Sequence, residues 1–159
     1  MGVGKSAVGK SLSKRLLMQF SDIDKIIENT LKMSIQEIFK KKGELFFRKL
    51  EEKISLQEAK KKNVVISLGG GAFMSSKIRK ATFLNSKSFW LDLDIKLLEK
   101  RLIKSKNRPL LNNKNLGASL NKIYKERKST YATANYRIDC EKLTINLITN
   151  KIIKLYANS

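Results

Sequence analysis

Near its start the chain reads Gly2-Val3-Gly4-Lys5-Ser6, the second half of a phosphate-binding loop. In the full pattern, G-x-x-x-x-G-K-[ST], backbone N–H groups wrap phosphate oxygens, the lysine reaches the outer phosphates and the hydroxyl ligates Mg²⁺. Gly4, Lys5 and Ser6 fill the last three places, so the stretch from Gly2 to Ala7 is a candidate nucleotide cradle. A glycine turn without a ligand is the alternative for so short a run. No histidine is present, which removes imidazole acid–base catalysis, Ser-His pairs and His-bound zinc. Chemistry therefore falls to Asp, Glu, Lys, Arg, a metal ion or the backbone. Three other segments could join the loop: Asp22-Ile23-Asp24, the triplet Gly69-Gly70-Gly71, and Asn107-Arg108-Pro109.

A length of 159 residues suits one domain, 1–159, with a core of its own. No run of about 18 apolar residues marks a membrane span, and the N-terminus lacks the basic and apolar regions of a signal peptide. The lone Cys140 forms no internal disulfide, which fits a reducing cytoplasm. The net charge of +20 invites a nucleic-acid reading. The lysines, however, are spread over nearly every segment without interleaved aromatics, so a solvated basic surface is the expectation and no specific nucleic-acid partner is expected.

Helical and strand patterns alternate, which argues an α/β domain with a mainly parallel sheet. Val8, Leu12, Leu16 and Leu17 give a helical stripe over Ser6–Met18 whose N-terminus points at the phosphates. Phe20-Ser21-Asp22 is a strand end, with Asp24 opening the next helix. Ser34 and Glu37 form a capping-box signature, Gly43 ends that helix, and another runs from about Glu44 to Lys61 with Leu45, Leu50, Ile54 and Leu56 inward. Val64 to Leu68 is a buried strand that ends in the glycine triplet. Phe89 to Leu93 is another, followed by a helix capped by Asp94. Residues 104–117 read as a mobile loop. A helix to about Lys128, a strand at Tyr136–Asp139 and a C-terminal helix carrying Ile145, Ile148, Ile152 and Leu155 complete the chain.

These segments, in this order, resemble the shikimate kinase family of P-loop enzymes. The likeness extends to Met33-Ser34-Ile35-x-Glu37-Ile38-Phe39, Gly43-Glu44-x-x-Phe47-Arg48-x-x-Glu51 and Glu126-Arg127-x-x-x-Tyr131. It implies a three-layer α/β/α P-loop kinase fold with a parallel sheet of order 2-3-1-4-5, a mobile lid at about 104–117, and a cytoplasmic monomer. It also implies transfer of the γ-phosphoryl group of ATP to the 3-hydroxyl of shikimate, with Mg²⁺, on the route to chorismate and the aromatic amino acids.

Carried over residue by residue, the resemblance makes Lys5 the phosphate lysine and Ser6 the metal's hydroxyl ligand, with Gly2, Val3, Gly4 and Ala7 beside the ATP. Asp22 holds the metal's water shell, an indirect contact that suits a cation reluctant to dehydrate. Asp24 binds the substrate's ring hydroxyls and is the candidate base; orienting the hydroxyl is its larger expected role. Arg48 and Arg127 clamp the shikimate carboxylate, for which planar guanidinium forks are better suited than ammonium groups. Gly70 and Gly71 let the backbone approach the substrate, with Gly69 in the same run toward the phosphates. Arg108 is the lid arginine that reaches the transferring phosphate, and Lys104 stands where an adenine-stacking arginine is common.

Two departures from the pattern stand out. Ser129 replaces a proline two residues after Arg127, and the first, central strand with the first loop glycine is missing ahead of Gly2. The expectation is that Met1 is an internal methionine with roughly ten residues upstream, a strand plus a loop. A truncated, inactive kinase is the alternative, as is another small-molecule kinase such as a gluconate kinase. Residues 1–159 alone are expected to show no shikimate-dependent ATP turnover, and an in-frame upstream extension to show it.

Overall fold

The computed structural model describes residues 2–103 and 116–158. Elements follow in the order α1 (Lys5–Leu16), β1 (Gln19–Asp22), α2 (Ile23–Leu31), α3 (Ile35–Glu58), β2 (Val64–Ser67), a 3₁₀ turn (Ala72–Met74), α4 (Ser76–Asn85), β3 (Phe89–Asp92), α5 (Ile95–Ile103), α6 (Leu116–Tyr131), β4 (Tyr136–Asp139) and α7 (Ile145–Ala157).

Local chemistry explains most of the boundaries. Gly4 takes a left-handed conformation (φ 96°) at the N-terminus of α1, a geometry that favours glycine. The Asp22 side chain caps α2 by accepting from the Lys25 N–H. Ser34 and Glu37 close the reciprocal capping box expected for α3. Asp94 accepts from the Lys96 and Leu97 amides at the start of α5, and Thr144 caps α7.

Three features of the helices differ from the sequence reading. The segments expected on either side of Gly43 form one element, α3, broken at Gly43, whose backbone is non-helical (φ 80°, ψ 167°). That break rotates the following face, so Leu45 is exposed while Phe47 and Ile54 are buried. Leu17 was expected in the α1 stripe; it instead takes the left-handed position that ends the helix and is 93% exposed. Helix α6 begins at Leu116, so Gly117 is helical rather than part of a loop.

Strand β1 pairs with β2 in parallel, with Asp22 opposite Ser67, and β3 pairs with β4 in parallel, with Asp92 opposite Asp139. These are the two flanks of the expected 2-3-1-4-5 order, and the centre between β2 and β3 is open. Openness explains a further correction: Val64, Val65 and Ile66 are half-buried rather than buried. The core has two parts. One gathers Val8, Leu12, Leu93, Ile138, Ile148 and Ile152 around α1, β4 and α7. The other joins Ile23, Ile27, Ile38, Phe47 and Ile54 between α2 and α3. Each fully buried isoleucine adds about 1.5–3 kcal/mol, enough to hold α2 and α3 as a unit. That unit fixes the first turn of α2 and the middle of α3, where the candidate site lies.

Candidate active site

Strand β2 ends at Ser67, and the chain then turns through Gly69-Gly70-Gly71 against α3 and α6. The turn is lined so closely that side chains there are excluded. A Cβ on Gly71 would lie 2.6 Å from Arg48 Nη1 and 2.7 Å from its Cζ, so the guanidinium lies against bare backbone. A Cβ on Gly69 would collide with Glu51 Oε1 and lie 2.9 Å from Asp24 Oδ1. Gly69 therefore sits beside Asp24 and Glu51, and with Val3 and Lys5 of the phosphate loop it lines a neighbouring cleft. The Gly70 carbonyl accepts from Arg127 Nη1 at 2.7 Å and from the Tyr131 hydroxyl.

Arg48 is held on several sides. Its Nη1 donates to Glu51 Oε2 at 2.7 Å, its Nε and Nη2 donate to Glu44 Oε1 at 3.2 and 3.0 Å, and its Cζ stands 5.2 Å from the Phe47 ring centroid. Glu51 is 2% exposed, and among the described residues its Oε1 finds no hydrogen-bond partner. Burial pushes the Glu51 carboxyl up from its ordinary range, outweighing the opposing pull of Arg48; the nearby Asp24 charge adds to the rise. Desolvation lowers Arg48, but its hydrogen bonds to Glu51 and Glu44 outweigh this, so it stays charged. Arg48, Arg127, Glu51 and Gly71 line a common cleft of about 330 Å³. Two guanidiniums facing one cavity can hold a planar anion such as a carboxylate.

On the other flank, Gly2 (φ 71°) and Gly4 (φ 96°) bend the chain into the N-terminus of α1, where unpaired N–H groups and the helix dipole favour phosphate. Val3 is buried and anchors this loop, Lys5 opens the helix, and Ala7 is exposed. Ser6 Oγ donates to Asp22 Oδ2 at 2.5 Å, so the loop's hydroxyl meets the first aspartate of the D-x-D. Asp24 lies two residues further on in the first turn of α2 and joins this group to Gly69 and Glu51.

A divalent cation fits this arrangement in a particular way. Among the described residues no cluster of three or more His, Cys, Asp or Glu could cage a metal. One hydroxyl and one carboxylate, both oxygen donors at the phosphate loop, match Mg²⁺, which keeps most of its waters and is shared with substrate phosphates.

The structure thus brings together Ser6 with Asp22, Asp24 with Gly69, and Arg48 with Arg127, Gly70 and Gly71. Lys104 and Arg108 lie outside the described residues. Glu51, Glu44 and Tyr131 were not assigned roles from the sequence. Their spacing carried a signal: Glu44 and Glu51 stand four residues before and three after Arg48, and Tyr131 stands four after Arg127, which places each pair on one helix face.

A family model described as shikimate kinase matches residues 1–157. The shikimate kinase of Bartonella henselae is 38% identical over 97% of this chain and 73% of its own length. That of Bacillus subtilis is 37% identical over 97% of this chain and 83% of its own. Among solved structures, shikimate kinase from Acinetobacter baumannii in complex with shikimate superposes with a TM-score of 0.94 at 31% identity, covering 99% of this chain and 89% of that one.

Proposed function

Because the chain belongs to the shikimate kinase family, we infer that its two flanks serve one reaction, transfer of the γ-phosphoryl group of ATP to the 3-hydroxyl of shikimate. The observation that carries this reading is the pair of guanidiniums, Arg48 and Arg127, facing one cleft beside Asp24. Phosphoryl transfer asks a protein mainly to position groups in line and to neutralise charge, and both flanks do so.

The shikimate carboxylate enters between Arg48 and Arg127. On the outer side of Arg48 it displaces the exposed Glu44 carboxylate, a pair that costs little to break. Glu51 keeps the inner side of the fork in place throughout. Asp24, beside Gly69, accepts from the ring hydroxyls and aligns the attacking oxygen; the proton leaves toward its carboxylate as the new P–O bond forms and the γ-phosphorus bond to the bridging oxygen breaks, releasing ADP. Gly2 to Ser6 and the first turn of α1 cradle the ATP phosphates, with Lys5 balancing the charge on the transferring group. Ser6, and Asp22 through water, would hold Mg²⁺, which would supply neutralisation of charge on the ATP phosphates. Lys104 and Arg108 complete the nucleotide side from outside the described residues. The reading includes a single-domain, cytoplasmic monomer; among the described residues no helix is long and apolar enough to cross a membrane.

Coupled ADP release by the protein as its gene encodes it tests this function. ADP should appear only when ATP, Mg²⁺ and shikimate are all present. ADP release that is indifferent to shikimate would overturn the reading.

A further inference from the structure

The two guanidiniums of the substrate cleft are held unequally. Arg48 makes three hydrogen bonds to Glu44 and Glu51 and packs on Phe47. Arg127, among the described residues, makes one: its Nη1 donates to the Gly70 carbonyl at 2.7 Å. A guanidinium fixed at a single point can pivot, and a pivoting fork matches a planar carboxylate poorly. The same carbonyl also accepts from the Tyr131 hydroxyl. We propose that Tyr131 is a positioning residue for substrate binding: its hydroxyl fixes the Gly70 carbonyl, and thereby the direction in which Arg127 presents its remaining N–H groups to the substrate carboxylate. The proposal rests on the cleft being the shikimate site.

Valence explains why the second donor matters. A carbonyl oxygen has two lone pairs. With Tyr131 on one of them, Arg127 is confined to the other. Tyr131 stands four residues after Arg127 near the end of α6, so the two side chains leave one helix face and converge on one atom. Gly70 also adjoins Gly71, where a Cβ would lie 2.6 Å from Arg48 Nη1. The two forks therefore lean on neighbouring residues of one turn, whose Cα atoms stand about 3.8 Å apart across a trans peptide. A shift at Gly70 changes the gap between the forks, which is the dimension a carboxylate has to match.

The hydroxyl is itself aimed from behind. The Tyr131 ring tilts against Trp90 of β3, with centroids 6.0 Å apart and planes at 50°. Trp90 in turn carries the Arg137 guanidinium, 5.2 Å from its centroid. Arg137 is pinned through Nε and Nη2 to Asp92 Oδ2, at 2.9 and 2.7 Å, and Asp92 is buried at the end of β3. Arg48 is thus braced by α3, and Arg127, through Tyr131, by β3 and β4. A tyrosine that merely satisfied its own hydroxyl would contribute to stability and leave carboxylate recognition untouched. The test separates these roles.

Tyr131→Phe removes the hydroxyl and keeps the ring on Trp90, so it isolates the bond. In the protein as its gene encodes it, steady-state kinetics should show the shikimate KM raised about three- to tenfold, with kcat and the ATP KM changed by less than about twofold. A double-mutant cycle on kcat/KM for shikimate gives the sharper readout. In an Arg127→Ala background the same substitution should change kcat/KM by less than about twofold, because its effect runs through that arginine. Calorimetric binding of shikimate without nucleotide should repeat the pattern. An unmoved shikimate KM in Tyr131→Phe would overturn the proposal. So would an equal loss in both backgrounds, or a fall in kcat with a matching rise in the ATP KM, which would describe a generally loosened fold. A natural protein that neither binds nor phosphorylates shikimate would end the proposal together with the function it rests on. Binding without turnover would end the activity alone, and the binding ratios would still decide the role of Tyr131.

Discussion

The two flanks of the site are built on different principles. The carboxylate side is assembled from side chains: Arg48 is locked between Glu44 and Glu51, packed on Phe47, and pressed against Gly71, while Arg127 and Tyr131 share the Gly70 carbonyl. The phosphate side is assembled mainly from backbone: two glycines with positive φ and the first turn of α1, with a side-chain link from Ser6 to Asp22. The first flank is preorganised by a buried ion pair and stays in shape without ligand. Substrate recognition thus rests on interlocked side chains, and nucleotide recognition on backbone geometry.

If this contrast is right, substitutions on the two flanks should fail in different ways. Lys5→Ala should give the largest loss, roughly 10²–10³-fold in kcat with little change in the KM for shikimate, because its charge is needed most in the transition state. Steady-state kinetics at saturating shikimate checks this, and a loss confined to the shikimate KM would erase the contrast. Arg48→Ala should raise the shikimate KM and also destabilise the fold by about 3–5 kcal/mol, because Glu51 is left buried without its partner. Chemical denaturation beside kinetics would reveal whether both effects appear together. Gly71→Ala should raise the shikimate KM by about tenfold and lower stability by less than Arg48→Ala does, since the added carbon pushes the fork, and with it the Nη1 bond to Glu51, out of place.

Acidity sharpens the comparison further. The folded Glu51 holds its proton more tightly than the unfolded chain does, so folding is favoured below the ordinary carboxylate range. That contribution is lost as pH rises through the raised folded value. Unfolding free energies measured across this window should therefore fall with pH for the natural protein relative to Glu51→Gln. Identical slopes would mean that Glu51 is not the strained group. The smallest effect is expected from Glu44→Gln, which should lower the shikimate KM by about two- to fivefold by removing a weak, exposed competitor for Arg48.

Much of the fold was legible because its signals are local. The capping box at Ser34 and Glu37, the strand Tyr136–Asp139 and the start of α7 at Ile145 depend on residues a few positions apart, and they appear as expected. Leu17 and Leu45 were misplaced for a common reason. Helical periodicity assigns a face only while the helix continues, and a left-handed Leu17 and a non-helical Gly43 each interrupt it. In the site, arginines at 48 and 127 were assigned from motifs, and the structure brings them to one cleft. Glu51 was not assigned, because a sequence shows that a residue is acidic but not that it will be 2% exposed behind an arginine. The half-buried state of Val64 to Ile66 was equally hidden, since an apolar run reads the same beside a filled core or an open cleft.

The account rests most heavily on paired guanidiniums reading a carboxylate. Its most direct test compares kcat/KM for shikimate with that for its carboxamide analogue, in the natural protein and in Arg127→Ala. The natural protein should favour shikimate by roughly 10²-fold or more, and the variant should lose most of that preference. An undiminished preference in the variant would contradict the assignment.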